Sequence, residues 1–96
     1  MKMIRPVFLL FVLLIVSPAF AENEVKDYNT LLSEGVIQLN QNDLPGASRL
    51  FEQAIAQDEQ GVEAYYYLGV VYARMNLSKE AENSFKKALK LDPLFI

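Results

Sequence analysis

The 96-residue chain is predicted to be all-α after its first twenty-one residues, built from one helical hairpin stamped out twice. Three observations carry that prediction. Displaced by 34, the sequence matches itself at Gly35/Gly69, Val36/Val70, Asn42/Asn76, Ala47/Ala81, Phe51/Phe85, Ala54/Ala88 and Asp58/Asp92. The shared residues are mostly small ones and a Phe, the types on which close helix packing depends, and a fixed period of this length marks a stacked repeat. In the second copy Tyr65, Leu68, Gly69 and Tyr72 recur at i, i+3, i+4 and i+7, the spacing of one helical face, the first copy repeats this more loosely, and Asn, Asp, Gly or Pro interrupt the stripes at regular intervals.

The chain opens with Lys2 and Arg5, then an unbroken apolar run from Val7 to Val16, then Ser17-Pro18 and an Ala-Phe-Ala triplet ending at Ala21. That is the layout of a secretory signal peptide, over 1–21, with cleavage expected after Ala21. A membrane anchor needs about 20 apolar residues, and the run breaks before that, so anchoring is the secondary reading. Without cysteine the chain makes no disulfide and carries no lipid-modified cysteine. The exported chain would be periplasmic or secreted. From Glu22 it would hold twelve acidic residues against seven basic ones, a net charge of −5. Such a balance disfavours nucleic acid, whose phosphates call for clustered Lys and Arg.

A polar lead-in, 22–27, precedes the first unit, 28–61. Its first helix carries Leu31, Gly35 and Leu39 on one face and ends at Asn42-Asp43. Asp43 is a good N-cap for the next helix, and Pro45 is tolerated within the first turn. Ala47, Phe51, Ala54 and Ile55 make that helix's buried stripe. The second unit, 62–95, begins with Tyr65, Leu68, Gly69 and Tyr72 on one predicted buried stripe. Asn76-Leu77-Ser78 interrupts it, Ser78 is the expected cap, and Ala81, Phe85, Ala88 and Leu89 form the last stripe before Asp92-Pro93.

The second unit resembles the tetratricopeptide repeat, whose 34-residue pattern is matched by Tyr65, Leu68-Gly69, Tyr72, Ala81, Phe85, Ala88 and Pro93. The first unit is a looser copy that keeps Gly35, Ala47, Phe51 and Ala54 but has Leu31, Glu34, Gln38 and Glu59 where the pattern has an aromatic, Leu, Tyr and Pro. The resemblance implies a short right-handed α-solenoid whose leading helices line a concave surface for a partner's peptide or helix. Carried over position by position, that surface holds Leu32, Val36, Leu39 and Asn40 from the first unit and Tyr66, Tyr67, Val70 and Arg74 from the second, with Asn29, Ser33, Glu63 and Ala73 beside them. Family members that clamp a C-terminal carboxylate use Lys, Asn and Arg there. Leu32, Val36, Tyr66 and Val70 imply an apolar segment instead.

No His, Cys or Trp is present, which removes the commonest general base, thiol nucleophiles and most metal ligands, and the four glycines form no phosphate loop. The chain is therefore expected to be non-catalytic, with no cofactor or metal, acting on a protein or peptide partner in the cell envelope. Two repeats are fewer than the three usually needed for a continuous core. Phe85, Phe95 and Ile96 are accordingly expected to seek cover, by fold-back of the apolar tail or by stacking against a second chain. Structural assembly through those ends is the alternative to groove binding.

Overall fold

The computed structural model describes residues 25–95; the signal-peptide expectation, Glu22–Glu24 and Ile96 lie outside them. Four helices follow one another: α1 Tyr28–Asn40, α2 Leu44–Gln57, α3 Val62–Arg74 and α4 Ser78–Leu91. Among the described residues there is no strand, and no helix is long and apolar enough to cross a membrane. α1 and α2 form one hairpin, α3 and α4 the second, and α3 lies against α2.

Each hairpin turns through an asparagine. Asn42 and Asn76 both have φ of 63°, in the left-handed region that asparagine tolerates better than most residues. The left-handed residue lets the departing chain satisfy the last carbonyls of the helix. Asn76 N–H donates to Ala73 O at 3.1 Å and Leu77 N–H to Tyr72 O at 2.8 Å, and Asn42 and Asp43 repeat the pattern on Leu39 O and Gln38 O.

Helix starts are handled less uniformly. Asp27 accepts from Thr30 N–H at 2.8 Å, and Asp43 from Gly46 N–H at 3.1 Å, with Pro45 in the first turn as expected. Ser78 is not the cap of α4. It is the first helical residue, and Leu77 stands at the cap without a side-chain bond. The tight turn after Asn76 uses one residue fewer than a cap at Ser78 requires, so the helix begins one position earlier, and Glu80 in the first turn offsets the missing cap through the helix dipole.

Within each hairpin a glycine on the leading helix meets a phenylalanine on the returning one. A Cβ added to Gly35 would lie 2.6 Å from Phe51 Cε1, and one added to Gly69 2.7 Å from Phe85 Cε1, so the ring lies directly against bare backbone. Between hairpins, Leu39, Ala47 and Phe51 pack against Leu68 and Val71; Phe51 and Val71 are fully buried.

The predicted stripe Tyr65–Leu68–Gly69–Tyr72 is corrected here. The buried residues of α3 are Ala64, Leu68, Gly69 and Val71, and Tyr65 and Tyr72 are only half-buried. The physical reason is that α3 is covered on two sides. Ala64, Leu68 and Val71 face the first hairpin, while Gly69 faces α4. The two tyrosines fall at the edges, where a ring can pack and its phenol stay wet. Lys87 Nζ sits 5.8 Å from the centre of the Tyr65 ring, and Tyr72 Oη donates to Glu52 Oε2 at 3.2 Å.

Candidate functional site: the groove between the leading helices

Three side-chain hydrogen bonds fix one hairpin on the other. Ala64 N–H, an orphan donor in the first turn of α3, donates to Tyr28 Oη at 3.3 Å. Its N-cap, Gly61, has no side chain to serve, and the Tyr28 ring lies where a Cβ on Gly61 would stand. Glycine is thus required at 61 by close approach rather than by dihedral angle. At the other end of the leading helices Arg74 Nη1 donates to Leu39 O at 3.5 Å, reaching a carbonyl in the last turn of α1. These two bonds tie α1 and α3 at both ends as parallel neighbours, and the third, Tyr72 on Glu52, joins α3 to α2. Burial raises the Tyr28 phenol above its ordinary value, as it does Tyr65 and Tyr72, with Glu63 and Asp58 adding to Tyr28, Glu59 to Tyr65 and Glu52 to Tyr72.

Between these helices runs an open groove of about 340 Å³, lined by Leu32, Ser33, Val36 and Ile37 of α1 and Glu63 and Tyr67 of α3. Leu32, Val36 and Tyr67, all expected here, are half-buried and pack at the edge of the core. Ile37, 52% exposed, is the residue the sequence reading missed. Its signal was present, since it follows Val36 on an apolar helix, but its place in the groove is visible only once α3 is set beside α1.

The other expected groove residues separate. Leu39 does not line the groove: it is 5% exposed and packs in the core with Phe51 and Val71, because α2 turns back directly beneath it. Val70 packs half-buried against the same core, and Asn40 and Arg74 are exposed, Arg74 holding Leu39 O. Tyr67 stacks face to face on Phe51, ring centres 5.4 Å apart and planes at 11°, so one side of the ring is core and the other faces the groove. Tyr66 points away, to the end of the stack, 5.8 Å from Phe85 and 5.4 Å from Phe95. The tail therefore covers Tyr66 beside Phe85, and Ile96 lies outside the described residues.

The lining is apolar with one carboxylate at its rim, a surface suited to holding a side of another chain. Among the described residues no three His, Cys, Asp or Glu groups converge as metal ligands. Two family models match: "Tetratricopeptide repeat" over residues 62–95 and "TPR repeat" over residues 36–76. The chain belongs to the tetratricopeptide-repeat family. It is also 33% identical over 72 residues to the PEX5-related proteins of rat, mouse and human, a stretch covering 75% of this chain. The match takes in 12% of the rat and human proteins and 13% of the mouse protein, so the chain spans about an eighth of the length of these relatives. As a tetratricopeptide-repeat protein it is a protein–protein interaction module, and its all-α repeat architecture is the one the 34-residue period predicts.

Proposed function

We propose that this module is exported to the cell envelope and there binds an apolar or amphipathic helical segment of a partner protein in the groove between α1 and α3. The observation that carries the reading is the groove itself: Leu32, Val36, Ile37 and Tyr67 offer four adjacent apolar side chains, one of them more than half exposed. Exposed apolar surface of this kind, rimmed by polar groups, marks interaction sites. Glu63 at the rim favours a partner segment bearing Lys or Arg beside its apolar face, as does the excess of acidic residues. Export rests on the layout of residues 1–21.

A photo-reactive residue introduced at Ile37 of the full chain, expressed in its own host, is expected to give a protein adduct that Ser33→Arg abolishes. The same group at Asn83, exposed on α4, is expected to give none. Equal adducts from both positions, or none from Ile37, would overturn groove binding. Recovered chain starting at Glu22 supports export with cleavage; chain still carrying Met1 contradicts cleavage after Ala21.

A further inference from the structure

The surface by which the first hairpin holds the second is formed again, in register, on the second. Leu39, Ala47, Phe51 and Ile55 are covered by α3. Thirty-four positions on, Ala73, Ala81, Phe85 and Leu89 line an open depression of about 390 Å³. Phe51 is 0% exposed, whereas Phe85 is only half-buried and Leu89 is 37% exposed.

The turn that launches α3 is also rebuilt bond for bond. Asp58 Oδ1 accepts from Gln60 N–H at 3.0 Å and Asp58 O from Gly61 N–H at 3.1 Å; Asp92 Oδ1 accepts from Leu94 N–H and Asp92 O from Phe95 N–H, each at 3.1 Å.

The helix that fits such a surface is known from the first interface. α3 presents Ala64, Tyr67, Leu68 and Val71: a small residue, an aromatic that stacks on the phenylalanine, a leucine and a β-branched residue. A second copy stacked head to tail would present α1 instead. At the same positions α1 carries Thr30, Ser33, Glu34 and Ile37, and Glu34 is already paired with Lys26 at 3.0 Å. Pressing that face on Phe85 would strip a carboxylate of water and supply no ring to stack.

We propose that the α4 face docks the leading helix of a tetratricopeptide hairpin from a partner repeat protein, with apolar residues in the pattern of Ala64, Tyr67, Leu68 and Val71, and that the polar face of α1 bars a second copy of this chain. Continuity with the α2–α3 interface carries the choice of occupant. The site is separate from the groove between α1 and α3.

Two extensions of the full chain test it at high local concentration. One joins a copy of residues 62–95 directly after Phe95. The other joins a copy of residues 28–61 there, standing in for a second copy stacked head to tail. The first is expected to raise the thermal midpoint by about 4 °C or more, and Leu89→Glu in the parent portion to erase that gain; the second is expected to leave the midpoint unchanged. No rise with 62–95, a rise that survives Leu89→Glu, or an equal rise with 28–61 would overturn the proposal.

Discussion

An alanine at Gly35 would set its Cβ 2.6 Å from Phe51 Cε1, and one at Gly69 2.7 Å from Phe85 Cε1. The two sites look alike but their phenylalanines differ in freedom. Phe51 is fully buried and stacked on Tyr67, while Phe85 is half-buried and has room to yield. Alanine gains about 1 kcal/mol of helix propensity at either site, and overpacking costs about 1–3 kcal/mol where the neighbour is held. Gly35→Ala is therefore expected to lower the unfolding free energy in urea by about 1 kcal/mol, and Gly69→Ala to change it by less than about 0.5 kcal/mol. Asn76 makes a second contrast: Asn76→Ala puts a poorly suited residue at positive φ and is expected to cost about 1 kcal/mol, while Asn76→Gly should melt with the parent. Gly35, Gly69, Phe51 and Phe85 were legible in the sequence because a small residue paired with a large one at a fixed offset, twice over, points to two helices in close contact. The left-handed asparagines were aligned but their backbone was not, since Asn is also common in ordinary turns.

α3 carries the densest set of relations. It meets α2 through Ala64, Leu68 and Val71, α4 through Gly69, and α1 through the Tyr28 hydroxyl. A single buried stripe was read from Tyr65 to Tyr72 because periodicity reports one preferred face. A helix covered on two sides has two, and the weight falls on whichever neighbour is nearer. Leu39 reaches the groove only by carry-over from the family pattern, whereas its spacing from Leu31 and Gly35 puts it on the face the structure buries. Tyr28→Phe removes the acceptor of Ala64 N–H at a helix start that has no other cap. It is expected to cost about 1 kcal/mol, and to speed amide exchange at Ala64. The tyrosines also set the alkaline limit. Folding raises the phenol pKa of Tyr28, Tyr65 and Tyr72 above 10.0, chiefly by desolvation. The unfolded chain then releases those protons first, so the tyrosines' contribution is level below pH 10 and stability should fall as pH rises beyond it. Urea midpoints at pH 8, 10 and 11 check this; a midpoint that holds or increases at pH 11 would contradict it.

The two hairpins form one body because the α2–α3 interface holds the residues most completely removed from water, Phe51 and Val71, together with Ala47 and Ala54. The outer helices are less enclosed: α1 exposes Ile37, and α4 exposes Leu89 and leaves Phe85 half-buried. Stability should accordingly be greatest in the middle of the chain rather than within either hairpin. This order follows from the stacking and not from helix propensity, as α2 contains Pro45 and Gly46 while α4 has the stronger helix formers. Native-state hydrogen exchange, read amide by amide, tests this coupling most directly. The slowest amides are expected in α2 and α3 together, around Phe51, Ala54, Leu68 and Val71, with α1 and α4 opening at lower free energy. Equal protection throughout α3 and α4, with α1 and α2 exchanging together at a lower level, would show two independent hairpins and contradict the account.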